Sequence, residues 1–287
     1  MQELPLVPAV VAHLLALDTD QDNYFEAVLA LAQEDPALAL HIIKLSNGAK
    51  DAPIEPIVSL REAVVRIGTR NIASLITSMA VIKVFTPTTF AEKNLWLHAI
   101  QVAVTARVVA CTTTAFKVNP EQAYLCGLLH DIGRFLLFLG AKEKLNQVET
   151  DEWCTPQEHI QLETKTFGFN HSQLGERICK KWGIPDVITK VVKYHHDYEL
   201  PEAVLAETRA ANLIRCVQLG DLFSVFMSVH PEAINDEEQE LEDKLFTACI
   251  DVCAPAPIDA NQLQTLSHSI LMDSEDIFSR LGFGGVN

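Results

Sequence analysis

Residues 127–134 read GLLHDIGR, so that a histidine and an aspartate lie side by side in an otherwise apolar, helical run. Two adjacent polar side chains, at positions where a core requires hydrocarbon, destabilise the fold unless each finds a partner. A metal ion or a hydrogen-bonded network supplies such partners. The pair His130-Asp131 therefore predicts a buried polar site in a helical core.

Four further histidines lie where they could complete this site. His98 is upstream on a long segment of helical character, and His171, His195 and His196 are downstream, at or near predicted helix ends. Imidazole and carboxylate are ligands for borderline metals such as Zn, Fe, Ni and Mn, and ligands spread over several helices suit a site inside a bundle. Alternatively, each histidine separately caps a helix or is satisfied in the core. For His98 taken with the His-Asp pair, we favour the metal site.

The spacing of these residues favours convergence. His98 and His130 are 32 residues apart, which is enough for the rest of one long helix, a Pro-containing turn and about three turns of the next. An antiparallel return of this kind brings both imidazoles to one level. On an ideal helix, His130 and Asp131 point about 100° apart, so both reach one ion only if it lies between them or if the helix is distorted near Gly133. The double histidine at 195 and 196 poses the same problem, and there we expect one ligand and one supporting residue.

Helix signals dominate the rest of the chain, and strand signals are nearly absent. Asp35 and Pro36 supply an N-cap and a proline at the first helical position, and Asn170 can cap a helix that starts at His171. The sequence predicts an all-α, multi-helix bundle with an N-terminal helical subdomain. Its expected parts are an N-terminal helical half (1–88), a helical half that carries the metal pocket (89–228) and a C-terminal helical extension (229–287).

Composition limits the classes of partner. The net charge is −16, with 22 basic residues scattered among 38 acids, which argues against a nucleic-acid-binding surface. No uncharged apolar run is long enough to cross a bilayer, and the first residues lack the basic start of a secretory signal, so we expect a cytoplasmic protein without a membrane partner. Seven cysteines without a CxxC pair predict reduced, buried thiols.

An ordered string of motifs resembles the HDOD family, a bacterial output domain related to the HD superfamily of metal-dependent phosphohydrolases. The superfamily is marked by a first His, a His-Asp doublet and a distant Asp; His98 and His130-Asp131 match the first two elements. The resemblance covers roughly residues 4 to 220, and such a string is far more specific than a lone His-Asp pair. It is carried by residues 4–8, 35–38, 42–47, 59–63, 67–68, 127–134, 171–175, 182–185 and 195–196.

Departures from the family pattern accompany these matches. Asn212 lies where the superfamily's final aspartate is expected, and a neutral amide is a weaker ligand. The HD-GYP relatives, which hydrolyse cyclic di-GMP, carry Lys at the position of Arg134 and a Gly-Tyr-Pro signature where residues 197–200 read DYEL. The resemblance therefore implies a retained but degenerate pocket. Its implied metal ligands are His98, His130, Asp131, His171, His195 and His196, with Asn212 at the place of the missing aspartate.

Two functions follow from the resemblance. The first is a signalling or regulatory module that acts through ligand sensing or through a protein partner, because HDOD proteins as a group are thought to act in regulation. The alternative is a metal-dependent phosphohydrolase acting on a nucleotide or cyclic dinucleotide, with a divalent ion such as Fe, Zn, Mn, Ni or Mg. Arg134 would then contact the phosphate of this small ligand; otherwise it forms an ion pair with a nearby carboxylate.

Overall fold

The computed structural model describes residues 23–48, 53–68, 90–113, 116–145, 148, 156–230, 270–274 and 276–277. These ranges are helical with no strand, so the all-α prediction is confirmed. The helices are α1 (Tyr24–Glu34), α2 (Pro36–Ser46), α3 (Leu60–Ile67), α4 (Phe90–Thr112), α5 (Pro120–Leu129), α6 (Ile132–Leu145), α7 (Pro156–Phe167), α8 (His171–Trp182), α9 (Asp186–Tyr194), α10 (Glu202–Leu205) and α11 (Thr208–Val229).

Local caps start the helices where the sequence predicts them. The Asp35 carboxylate accepts the backbone N–H groups of Ala37 and Leu38, at 2.8 and 3.0 Å, and Pro36 occupies the first position of α2. At the start of α8, Asn170 and Gln173 form a reciprocal capping box. Both caps satisfy N–H groups that the first turn of a helix leaves without partners.

Helix α4 is the centre of the bundle, and α5 and α11 pack along it. Residue 127 of α5 lies against Ala103 and His130 against His98, so the chain returns antiparallel, as the spacing predicts. A Cβ on Gly127 would lie 2.7 Å from the Ala103 Cα, inside any normal contact. Only glycine permits this approach, which brings the end of α5 to the level of His98.

The predicted distortion of the helix occurs at the His-Asp doublet itself. Helix α5 ends at Leu129 and α6 begins at Ile132, so His130 and Asp131 form the turn between them. Directly after this turn, Gly133 packs against the backbone of His171 at the start of α8. The break frees the two side chains from the angular spacing of one ideal helix and aims both into the space between helices.

The cysteines of the described residues are free thiols. Cys126, Cys179 and Cys216 are buried, as predicted, and burial raises the pKa of the Cys126 thiol to about 12. Cys111 differs from the prediction, because it lies exposed near the end of α4.

Within the described ranges, three stretches are long and apolar enough, by length and composition alone, to cross a membrane: Glu92–Thr112, Pro120–Leu145 and Thr208–Ser228. Each of them contains charged residues, whereas the sequence-based expectation concerned uncharged apolar runs. Over 18 residues of each stretch, between 67% and 78% are buried inside the protein. Their apolar side chains pack against one another around the site described below.

Several predictions fall on residues outside the described ranges. These are the motif at residues 4–8 and most of the C-terminal extension over 229–287. The division into 1–88, 89–228 and 229–287 stays a prediction.

Candidate metal centre

Seven imidazole and carboxylate side chains converge where α4, the turn between α5 and α6, α8, the end of α9, and α11 meet. They form two groups, and within each group the potential ligand atoms lie within 4.8 Å of one another. The His98 group is His98, His130 and Asp221, and the His171 group is Asp131, His171, His195 and His196. The structure thus brings together six residues that the sequence nominates, and it adds a seventh.

Two carboxylates lie between the groups and face both of them. Asp131 turns Oδ1 toward His171 Nε2, at 3.2 Å, and Oδ2 toward His98 Nε2, at 3.7 Å. Asp221 turns Oδ1 toward His98 Nε2, at 3.3 Å, and Oδ2 toward His196 Nδ1, at 3.4 Å. A carboxylate that offers one oxygen to each side can bridge two cations.

The final acidic residue is not where the sequence places it. The carboxylate that joins the site is Asp221, which lies farther along helix α11 than Asn212. Residues 212 and 221 are nine positions apart, which on an α-helix turns them about 180° away from each other. Asn212 therefore faces away from the pocket, and no carboxylate is missing from it.

The backbone fixes the orientation of two imidazoles. His130 Nδ1 donates to the carbonyl of Gly127 at 2.7 Å, and His195 Nδ1 donates to the carbonyl of Val192 at 2.9 Å. A carbonyl only accepts, so each Nδ1 carries the hydrogen and each neutral ring turns the lone pair of Nε2 into the site. This nitrogen is the one that a metal would take.

Side chains that the sequence did not nominate orient two more rings. His171 Nδ1 donates to Glu163 on α7 at 2.7 Å. The Ser224 hydroxyl donates to Gln101 at 2.6 Å, so it accepts from Nδ1 of His98 at 2.9 Å. No local sequence pattern marks these supports. Glu163 and Ser224 each lie on a different helix from the histidine that they hold, and Gln101 acts on His98 only through Ser224.

The facing nitrogen atoms require a positive charge between them. His98 Nε2 lies 3.2 Å from His130 Nε2, and His171 Nε2 lies 3.2 Å from His195 Nε2 and 3.1 Å from His196 Nε2. Where both nitrogens of a pair carry lone pairs, they repel one another unless a proton or a cation lies between them. In addition, Asp131 Oδ1 and Asp221 Oδ2 have no hydrogen-bond partner among the described residues. This set of nitrogen and oxygen donors fits divalent metal ions.

The double histidine departs from the expectation of one ligand and one supporting residue. Both rings turn a nitrogen into the His171 group, and their centroids are 4.0 Å apart. Helix α9 ends at Tyr194, so the pair lies in a turn and not on a regular helix.

The pKa values of most of these groups match the protonation states of metal ligands. Burial lowers the pKa of His130 to about 3 and holds the pKa of His196 well below its ordinary value. For Asp131 and Asp221, burial raises the pKa, but neighbouring histidines lower it further, and both pKa values lie below the ordinary range. Near neutral pH, His130 and His196 are therefore neutral and both carboxylates are ionised, which are the forms that bind metals.

The site is partly exposed beside His98 and Arg134. The side chain of His98 is 16% exposed and that of Arg134 is 20% exposed, whereas those of Asp131 and Asp221 are almost fully buried. Arg134 Nη1 lies 3.4 Å from Asp131 Oδ2, so the predicted ion-pair contact is present, and the guanidinium still reaches solvent at the opening. A contact from Arg134 to phosphate stays a prediction.

Comparison with known proteins identifies the family. The family model described as HDOD domain matches residues 4–198, more than half of the chain. An uncharacterized protein of Treponema pallidum (strain Nichols) is 25% identical over 206 residues, which are 71% of this chain but only 39% of that relative.

Solved structures share the fold. The MmoQ response regulator of Methylococcus capsulatus str. Bath is 21% identical with a TM-score of 0.64, over 86% of this chain and 94% of that one. A proposed phosphohydrolase of Shewanella amazonensis SB2B is 19% identical with a TM-score of 0.52, over 97% and 95% of the two chains. With the family model matched over most of the helical body, the chain belongs to the HDOD domain family.

Proposed function

We propose that this HDOD protein is a metal-dependent phosphohydrolase that acts on a small phosphate ester, such as a nucleotide or a cyclic dinucleotide. One observation carries the proposal: Asp131 and Asp221 each face both histidine groups. Two cation positions joined by bridging carboxylates are the arrangement that phosphoester hydrolysis uses. The Shewanella protein named as a proposed phosphohydrolase shares the fold and supports this assignment.

The chain's own residues supply the remaining parts of such a site. When bound, the metal ions would lower the pKa of a water molecule and neutralise charge on the phosphate. The His98 and His171 groups would hold these ions. Arg134, at the open side, would bind a phosphate oxygen through its guanidinium, as arginine commonly does. The enclosing helices exclude bulk water, which strengthens each of these interactions.

The case for a degenerate pocket rested on a missing aspartate, on Arg134 in place of Lys and on the absent Gly-Tyr-Pro signature. Asp221 removes the first of these grounds, since a carboxylate does lie in the pocket. Arg134 keeps the positive charge at its position. The net charge of −16 favours a small ligand over a nucleic acid, because bound metal ions and Arg134 would give the site a local positive field.

A regulatory role is the second candidate, and contacts between the N-terminal helices and the helices of the site favour it. Tyr124 on α5 donates to the carbonyl of Gln33 on α1 at 2.8 Å, and Lys44 on α2 lies over the ring of Trp182 on α8, at 5.5 Å. A ligand in the pocket could thereby alter how α1 and α2 meet a protein partner. The response regulator that shares the fold supports this candidate.

Metal analysis combined with a hydrolysis assay tests both candidate functions. We expect stoichiometric divalent metal in the purified protein and metal-dependent turnover against a panel of nucleotides and cyclic dinucleotides. His130→Ala should abolish both, and His230→Ala, at the exposed far end of α11, should retain both. Metal without turnover would favour the regulatory candidate, and absence of bound metal would refute the proposed site.

A further inference from the structure

The two histidine groups differ in the acceptors that lie behind their imidazoles. In the His98 group both acceptors are neutral, namely the Ser224 hydroxyl behind His98 and the Gly127 carbonyl behind His130. In the His171 group, the ring of His171 donates to a carboxylate, that of Glu163. A carboxylate behind an imidazole makes the opposite nitrogen a stronger metal ligand, because it stabilises positive charge on the ring.

Among the residues that the structure describes, Glu163 makes its hydrogen bonds to His171 only. It is 0% exposed, and its Oε2 accepts both the ring Nδ1–H and the backbone N–H of His171, each at 2.7 Å. Its Oε1 has no hydrogen-bond partner in the described part of the chain. A buried carboxylate with so few donors is unfavourable unless positive charge lies nearby. Arg134 supplies part of that charge, and a cation on the far side of the His171 ring would supply more.

The same two bonds also fix geometry. One oxygen holds the first backbone N–H of α8 and the ring nitrogen of the same residue, so both the start of the helix and the rotation of the imidazole are set. The ring can then turn only Nε2 toward Asp131 Oδ1, at 3.2 Å. Glu163 therefore orients His171 before any ligand arrives.

We propose that Glu163 is a positioning residue that makes the His171 group the tighter of the two cation positions. This inference rests on the proposed function, since it takes both groups to hold a divalent ion. The His171 group also has the larger donor set, with three imidazoles and Asp131 against two imidazoles and Asp221. The negative charge of Glu163 adds to that advantage.

A cobalt titration of the metal-free, full-length protein tests the proposal. We expect two binding steps for Co²⁺. Calorimetry and the visible absorption of the bound ion measure both steps. Glu163→Gln keeps an acceptor oxygen but removes the charge, so it should weaken the tighter step about tenfold and leave the weaker step unchanged. Ser224→Ala is the matched control, because it removes the acceptor behind His98. It should weaken only the weaker step.

A second measurement needs no variant. Nitrogen-15 NMR of the imidazoles in the unaltered, metal-free protein should show His171 with a hydrogen on Nδ1 that is strongly deshielded by its carboxylate acceptor. A residue that merely fills space would produce no such signature. If Glu163→Gln does not fold, this spectrum alone tests the positioning role of Glu163. A spectrum in which Nδ1 of His171 carries no hydrogen overturns the proposal.

The outcomes separate this inference from the function on which it rests. Weakening of the tighter step alone supports the positioning role. An equal effect of Glu163→Gln on both steps, or none on the tighter one, refutes it while the metal site stands. Failure of the unaltered protein to bind any Co²⁺ refutes the proposed function, and the inference with it.

Discussion

Replacing Gly133 with alanine tests whether one helix crossing sets the geometry of the candidate metal centre. A Cβ at this position would overlap the carbonyl oxygen of His171 and lie 2.8 Å from its carbonyl carbon and 3.0 Å from the backbone nitrogen of Gly175. Ordinary carbon contacts are about 3.5–4.0 Å, so the start of α8 must move away from α6 by about 1 Å. All of the atoms that would collide belong to backbone, and none can rotate aside.

Such a shift would reach both stability and ligand geometry. Overpacking of this kind typically costs about 1–3 kcal/mol, and each kcal/mol lowers Tm by about 2–4 °C in a chain of this size class. His171 is the first residue of α8, and metal–ligand distances tolerate deviations of about 0.2 Å. We therefore expect Gly133→Ala to lose metal binding at the His171 group in addition to part of its stability.

The assay is denaturant unfolding of the metal-free protein together with a metal titration. Gly140→Ala on the same helix is the control, because a Cβ there would have no neighbour within 4 Å. It should change stability by no more than about 1 kcal/mol and leave metal binding intact. A Gly133→Ala protein with unaltered stability and unaltered metal affinity would show that the crossing does not hold the site.

Three further predictions concern individual residues. Burial lowers the pKa of His171, but Glu163 and Asp131 raise it, and the net shift is above the ordinary value of 6.5. A proton on His171 therefore stabilises the metal-free fold at low pH, and it is lost as pH rises through the raised pKa. Because this proton competes with the metal ion, metal affinity should increase across that pH interval. A metal affinity that does not change with pH would contradict this prediction. Asp221→Asn should weaken metal binding at least about tenfold, whereas Asn212→Ala should have no effect, as measured by metal content after dialysis. Arg134→Gln should weaken inhibition by inorganic phosphate about tenfold, because it removes a charged hydrogen bond. It should leave the metal content unchanged. A loss of metal instead would show that the main role of Arg134 is the ion pair with Asp131.

Most of the fold and six of the seven converging residues could be predicted from the sequence, because their signals are local or repeat along the chain. Caps at Asp35 and Asn170 mark helix starts, and the apolar runs mark the helices between them. The separation of His98 and His130 predicts that they lie close together, because the fixed rise per residue of a helix determines which residues an antiparallel return brings to the same level. The glycine on each side of the doublet was visible in the sequence, although the backbones that lie against it were not.

The misplaced final carboxylate and the missed Glu163 have one physical origin. Asp221 and Asn212 lie on the same helix, and only the rotational position of α11 against α4 decides which of them faces the pocket. That position is set by packing between residues distant in sequence, such as residue 220 against Val102. Glu163 was missed for the same reason, because it acts on His171 from another helix. Periodicity shows that a helix has a buried face, but it does not show which residue of that face meets a given neighbour.

The position of the ligands implies that metal binding and the assembly of the bundle are coupled. The seven residues come from α4, from α11, from the first residue of α8 and from two inter-helix turns, so no pair of neighbouring helices contains either group. Without a cation, two ionised carboxylates and closely spaced imidazole nitrogens lie together in a nearly closed space, and their repulsion acts against the packing of α8 and the end of α9 on α4. A cation removes this repulsion and joins the same elements, and an ion that binds only the folded chain adds its binding free energy to stability. Helices α1 and α2 contact α5 and α8 through Tyr124 and Lys44, so the helices that assemble around the site also pack against the N-terminal helices.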